Sequence, residues 1–319
     1  MARRLRIEFP GAIYHVINRG NRREPIALDD PDRLRFLETL GDACAKTSWQ
    51  VHAVCLMPDH FHLVVETPLP NLVAGMKWFL GTYSARFNRR HRVAGHLFSG
   101  RYKSLVVDGS GTGYLRTVCD YVHLNPSRAR LLTPEQPLSE YRWSSWPEYL
   151  KSPGKRWEWL RVDRLLGEHR ILQDNALGRR RLEETLEGRR GAEEGNATAY
   201  QSIRRGWFFG SDAAKNELLA PISDKVGTSH SGPEVVESSE TRAERIVQEE
   251  LNRRQWTADT LSERRKGDPE KVQIARRLRA ETTMTMPWIA ERLRMGTDTH
   301  LSHLLYWAGR DRKSHDASD

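Results

Sequence analysis

The first half of this chain predicts an α+β fold, and three observations carry the prediction. Stretches that alternate apolar and polar residues are interleaved with stretches whose apolar residues recur at helical spacing. A Pro58-Asp59 step divides two β-rich runs, as a hairpin turn would. The resulting order is β-α-β-β-α-β-α, a ferredoxin-like split βαβ with an antiparallel sheet and one extra helix.

Each element has its own local reason. IYHVINRG (residues 13–20) alternates and ends on glycine, which predicts a short strand. DDPDRLRFLETLGDACAKT opens with acids and a proline and spaces its leucines and Phe36 as a helix does. WQVHAVCLMP and HFHLVVETP are the hairpin strands. LPNLVAGMKWFLGTYSARFNRRHR is a second helix that runs out into arginines, and RYKSLVVDG is a further strand. GTGYLRTVCDYVHLNPSRARLL is a helix that Pro126 should terminate or kink, because proline lacks an N–H and crowds the preceding turn.

Beyond residue 150 the patterns thin. Residues 1–150 are read as the domain that carries chemistry and 151–220 as a charged, leucine-rich helical extension. Residues 221–240, rich in Ser, Gly and Pro, read as a linker. Residues 241–319 return to helical pattern. There, Thr285 can cap a helix containing Trp288, Ile289 and Leu293. Gly296 can make a tight turn, and Thr297 or Asp298 can cap a second helix that turns Leu301, Leu304 and Leu305 inward. This is a helix-turn-helix pattern that would offer Thr299, Ser302, His303 and Arg310 to DNA; a plain helical hairpin has the same pattern.

Composition narrows the partners. A hydrophobic content of 38% with 29% charged residues predicts a soluble protein with modest cores. The net charge is +9, and residues 1–150 hold 20 Lys+Arg against 14 Asp+Glu, a balance that favours a polyanion. Cys44, Cys55 and Cys119 lie far apart with no CxxC, which argues against a disulfide framework and fits a reducing cytoplasm. The basic start leads into no apolar segment, and no run approaches a membrane span. The expectation is a cytoplasmic protein with no membrane partner, either monomer or homodimer.

PDHFHLVV holds the first chemical signal. Side chains alternate faces along a strand, so His60 and His62 share one face while Phe61 anchors the other. Two imidazoles so placed can bind one divalent metal. With 12 histidines in the chain, roughly half of one such pair arises by chance, so the pair needs a third donor and a reactive group. CDYVHLNPSRA supplies candidates for both. Tyr121 and Asn125 stand four residues apart, one turn along a helix, while His123 points elsewhere. A core tyrosine with a capping asparagine would show the same letters. If the helix packs beside the histidine strand, the Asn125 amide oxygen could complete a metal site and Tyr121 could attack a phosphodiester.

Between these motifs, ARFNRRHRVAGHLFSGRYK carries Arg86, Arg89, Arg90, Arg92, Arg101 and Lys103 with no acidic residue. Phe87, His91, His96, Phe98 and Tyr102 are interspersed, a pattern expected for single-strand binding, with charges along the backbone and rings for unstacked bases. A solvated helix end would also favour arginines. Arg19, Arg22 and Arg23 are candidates for the same surface.

PDHFHLVV, GHLFSGRYKSLVV and DYVHLNPSRA, in that order, resemble the HUH single-tyrosine transposases, most closely their REP-associated tyrosine transposase branch. The resemblance covers about residues 5–150. It implies that His60 and His62 are ligands for Mg²⁺ or Mn²⁺, with Tyr121 as the nucleophile that cleaves and rejoins single-stranded or hairpin DNA through a 5′-phosphotyrosine. Asn125 stands where many such transposases have a glutamine ligand and is one methylene shorter. A non-catalytic DNA-binding regulator derived from such an enzyme is the alternative. An RNA-binding module on the same fold would leave the histidine pair unexplained.

Overall fold

The structure, a computed structural model, describes residues 7–111, 113–193, 200–204, 206–223 and 233–315, without the side chains of 192, 193, 201, 204, 220–223, 233–239 and 309–315. The chain divides into two compact units. The larger contains the sheet; the smaller comprises Ser231–Asp319 with the short pieces Ala45–Thr47 and Asn71–Gly75.

In the larger unit the expected order is present. Strand β1 (Ala12–Arg19) is followed by helix α1 (Asp30–Thr47), the hairpin β2 (Gln50–Leu56) and β3 (His60–Thr67), helix α2 (Leu72–His91) and strand β4 (Lys103–Val107). Helix α3 (Tyr114–His123) stops at Leu124, and a single turn, α4 (Asn125–Arg128), continues past it with Pro126 in its first turn. Pro126 therefore restarts the helix where its missing N–H is harmless. The sheet order is β2-β3-β1-β4-β5, with the first three pairings antiparallel.

The fifth strand comes from the segment expected to be only helical. β5 (Phe208–Phe209) pairs parallel to β4, so the sheet is antiparallel except at that edge. Two residues are too short to show any periodicity, which is why the sequence pattern misses this strand. Around it lie α5 (Trp146–Leu150), α6 (Asp163–Glu168), α7 (Ala176–Glu193), α8 (Gln201–Arg204) and α9 (Asp212–Ser223).

One face of the sheet packs an aromatic core. Phe61, fully buried, meets Phe36 of α1 at 5.2 Å and Phe79 of α2 at 6.0 Å between ring centroids. Phe36 in turn contacts Tyr83 at 5.1 Å, and the Tyr83 hydroxyl donates to the Ile26 carbonyl at 2.6 Å. Asp29 caps α1 by accepting from the Asp32 N–H at 3.0 Å.

The β2 edge is closed by the YRWSSW segment. The Leu56 N–H donates to the Trp143 carbonyl and the Ser145 N–H to the Val54 carbonyl, both at 2.8 Å. Covering an edge in this way removes a template for unwanted pairing. Gly20, at the end of β1, is required by close approach: a Cβ there would sit 2.0 Å from the Glu24 carbonyl oxygen.

The smaller unit is helical: α10 (Pro233–Arg253), α11 (Ala258–Glu263), α12 (Pro269–Glu281), α13 (Met286–Arg292) and α14 (Asp298–His315). Helix α10 starts inside the 221–240 stretch expected as linker, and residues 224–232 of that stretch lie outside the described residues. Ile246, Leu278, Ile289, Leu293 and Leu301 are fully buried in a common core, with Leu304 and Leu305 packed against it. The Thr285 side chain accepts from the Trp288 N–H, and Gly296 takes φ +89° in the turn to α14. That left-handed backbone is one a Cβ would strain.

Candidate functional site

Strand pairing decides what the second face of the sheet presents. Directly opposed residues in an antiparallel pair share a face. Arg19 opposes His60, Ile17 opposes His62 and His15 opposes Val64. The three histidines therefore point to the face away from Phe61. His60 and His62 lie 5.1 Å apart between ring centroids, at 75°.

Each of the pair has its Nδ1 engaged. His60 Nδ1 lies 2.5 Å from the Asp59 carboxylate, which also pairs with Arg19 at 3.4 Å. His62 Nδ1 lies 3.0 Å from Nε2 of His15 on the neighbouring strand. Burial pushes the His15 imidazole down to about 3 and holds His62 well below its ordinary value, with the neighbouring histidines adding to the latter. Both rings are thus neutral at physiological pH, the form that can ligate a metal.

Helix α3 packs on this face. The Tyr121 ring stands edge-on to His62 at 5.6 Å and to His15 at 5.7 Å. Tyr121 is only 5% exposed. The Arg128 guanidinium, two turns along, lies 4.1 Å from the centre of the Tyr121 ring and also bonds the Tyr121 carbonyl. Tyr200, from the extension, sits 5.1 Å from Tyr121 and 4.8 Å from Arg128. Asn125 follows one turn after Tyr121 and is buried, with its Nδ2 unpartnered among the described residues. His123 is turned away, bonded to the Ser145 hydroxyl at 2.8 Å.

The extension braces this helix at both ends. Asp120, 1% exposed, binds Nε2 of His169 at 3.0 Å and the guanidinium of Arg189 on α7. Arg190, the next residue, holds the Ser127 hydroxyl at 2.9 Å and the carbonyls of Thr133 and Gln136. Consecutive arginines on α7 therefore grip the chain just before Tyr121 and just after Asn125. The Arg-Arg dipeptide is visible in the sequence, but its target sixty residues upstream is not.

A divalent ion fits part of this set. Two imidazoles bound to one ion through a nitrogen about 2.1 Å away would have centroids about 5 Å apart, close to the separation of His60 and His62. Asn125, buried one turn beyond Tyr121, leaves its Nδ2 without a hydrogen-bond partner among the described residues. Among the described residues no group of three or more His, Cys, Asp or Glu side chains is placed to share an ion. A metal here would thus rest on the histidine pair plus an amide, water or phosphate oxygen.

The basic segment splits into two populations. Arg86 on α2 bonds Thr39 at 2.6 Å and Asp42 at 2.9 Å, and Arg90 pairs with Asp29 and Asp32. These two are held within the fold. Arg89, Arg92, His96, Arg101 and Lys103, with Arg22 and Arg23 after β1, are exposed and form no ion pair among the described residues. Arg22 and Arg23 both take positive φ, 54° and 64°.

The interspersed aromatics do not lie where base stacking needs them. Phe87, Phe98 and Tyr102 are 7–8% exposed. Phe98 packs on Phe61 and Tyr83, and His91 is bound to Asp32. Their spacing reflects the α2 core face, and the expectation of rings free for unstacked bases is corrected for all but His96. In the smaller unit Thr299, Ser302 and His303 are exposed along α14, while the Arg310 side chain lies outside the described residues.

His15, Arg128 and Tyr200 are site neighbours that sequence reasoning missed. His15 had a signal, since YHVINRG puts it on the same strand face as Arg19. Arg128 lies seven residues beyond Tyr121, on the same helical face.

Residues 9–125 match the family described as "Transposase IS200 like". A solved structure described as "Structure of the REP associates tyrosine transposase bound to a REP hairpin" aligns with 16% identity and a TM-score of 0.37, covering 46% of this chain and 81% of that one. No curated protein matches the chain. Among the described residues, no helix is long and apolar enough to cross a membrane.

Proposed function

We propose that residues 9–125, the stretch that matches the IS200-like transposases, form with their neighbouring helices a metal-dependent enzyme that cleaves and rejoins single-stranded DNA. The observation that carries this reading is the placement of Tyr121 against His62, on the sheet face shared with His60. The Tyr121 phenol and the His62 imidazole meet where a strand and a helix pack, with Asn125 one helical turn further along.

In the step proposed, the Tyr121 oxygen attacks the phosphorus and the bond from phosphorus to O3′ breaks. The phenolic proton passes to water, and O3′ takes one up to leave as a hydroxyl. The product is a 5′-phosphotyrosine; attack on it by a 3′-hydroxyl forms the new ester to O3′ as the bond to the Tyr121 oxygen breaks, the 3′-hydroxyl proton passing to water and the phenol taking one up. Mg²⁺ or Mn²⁺, when bound, supplies polarisation of a non-bridging phosphate oxygen. His60 and His62 would hold the ion through Nε2, with Asn125 offering its amide oxygen. The Arg128 guanidinium orients the Tyr121 ring, and Asp120, through Arg189, fixes the helix that bears it.

Arg22, Arg89, Arg92, Arg101 and Lys103 would carry the DNA backbone, with Arg19 shared between Asp59 and substrate. The α13–α14 pair would act as a helix-turn-helix that contacts a flanking hairpin through Thr299, Ser302, His303 and Arg310.

A second reading, a DNA-binding regulator without catalysis, is favoured by one observation. Tyr121 is 5% exposed and sits between Arg128 and Tyr200. One experiment separates the two. The protein is incubated with single-stranded hairpin DNA and Mn²⁺ and resolved on a denaturing gel. The enzyme reading expects a covalent adduct that Tyr121→Phe abolishes; binding without an adduct, or an adduct that survives this substitution, sinks it.

A further inference from the structure

We infer that His15 is a positioning residue for the metal site: its Nε2 accepts a hydrogen bond from His62 Nδ1–H and so holds His62 in the tautomer whose Nε2 is bare. The inference deepens the metal-dependent reading above and rests on it.

A neutral imidazole carries one proton, and only the nitrogen without it can ligate a metal. For His60 the choice is made by Asp59. A carboxylate can only accept, so at 2.5 Å it takes the proton side of Nδ1 and leaves Nε2 open. His62 has no carboxylate against its Nδ1; it has His15, at 3.0 Å.

A histidine partner is ambiguous where a carboxylate is not. If the shared proton sits on His62 Nδ1, His15 accepts with Nε2 and keeps its own proton on Nδ1. If the proton sits on His15 Nε2, the His62 proton moves to its Nε2 and blocks ligation there. His15 is 1% exposed, and its Nδ1 has no partner among the described residues in either case. The site therefore uses two different devices for one task, a carboxylate acceptor at the half-buried histidine and an imidazole at the buried one. A carboxylate beneath His62 would be a buried charge, costly to bury without a partner. A neutral imidazole avoids that cost.

The rings support the pairing geometrically. His15 and His62 lie 5.2 Å apart and only 16° from parallel, so the hydrogen bond runs between nearly coplanar rings. Both also meet the edge of Tyr121, so a change at His15 acts on the ligand and the nucleophile together.

The first test needs no metal. In ¹⁵N-histidine-labelled protein without divalent ions, long-range ¹H–¹⁵N correlations, assigned with His62→Asn, are expected to show His62 protonated at Nδ1. A proton on His62 Nε2 overturns the inference. The second test titrates Mn²⁺ by paramagnetic resonance, with thermal melts as a check on folding. His15→Leu is expected to weaken binding by about 10- to 100-fold. His15→Gln, whose amide oxygen can accept, should recover most of it. Equal binding by His15→Leu and wild type overturns the inference while leaving the metal reading intact. If wild type itself binds no Mn²⁺, the metal reading fails and this one falls with it. Should His15→Leu not fold, the tautomer in wild type decides.

Discussion

The two faces of the sheet are built to opposite rules. Against α1 and α2, Phe61, Phe36, Phe79 and Tyr83 interlock, and the Tyr83 hydroxyl has a partner. Against α3, the same sheet buries His15, His62, Tyr121 and Asn125, and leaves His15 Nδ1 and Asn125 Nδ2 without one among the described residues. Buried polar atoms without partners are uncommon and mark places where something other than stability shaped the packing. The first face supplies cohesion that the second gives up.

The largest effect that would test this contrast lies on the aromatic face. Phe61→Ala should lower stability by about 3–5 kcal/mol, measured by urea unfolding, because its ring is fully buried among three others. A loss below about 1 kcal/mol would mean the face is not the main source of cohesion.

Acid should weaken the polar face first. Burial holds His123 down to about 4, and burial also lowers His52 against the opposing pull of Glu66. Both stay neutral in the fold but take up protons in the unfolded chain below about 6.5. Each contribution is therefore complete above 6.5 and is lost as pH falls below it; for His123 the loss runs on toward 4, at about 1.4 kcal/mol per unit. Urea midpoints should start to fall below pH 6.5. An onset only below about 4.5, where carboxylates titrate, would assign the loss to other groups.

Arg189→Ala tests the brace on the tyrosine helix. Arg189 is 38% exposed, so losing its bond to buried Asp120 should cost about 1–2 kcal/mol, less than a fully buried pair. Covalent adduct formation should slow more than DNA binding weakens. Equal losses in both would count against a brace specific to Tyr121.

The smallest effect separates the two arginine populations. Neutralising Arg101 should reduce the slope of log affinity against log salt for single-stranded DNA by about 0.7. Arg86→Gln should leave the slope unchanged, since Arg86 is already taken by Asp42. The same slope change for both would mean that these internal pairs open on binding.

Local pattern made much of the site legible. His60 and His62 share a face because strands alternate, and Tyr121 and Asn125 share one because helices repeat. PDHFHLVV and DYVHLNPSRA could therefore be read as donors waiting for each other. The Pro126 interruption was equally local. The aromatics of the basic segment misled because Phe87 keeps its helical spacing whether it faces a core or a nucleic acid, and Phe98, beyond α2, is drawn inward by its contacts with Phe61 and Tyr83.

What the sequence by itself determined is the order of strands and helices from β1 to α3 and the alternation that puts His60 and His62 on one face. Those follow from backbone repeats and need no partner. Only the tertiary structure decided which faces meet. It brought His15 to His62 across a strand pair, seated Tyr200 on Tyr121, and set the arginines of α7 on Asp120 and Ser127. It also withdrew Arg86 and Arg90 into ion pairs with α1 and the residue that caps it. These contacts join residues tens of positions apart, and no local repeat encodes a distance of that kind.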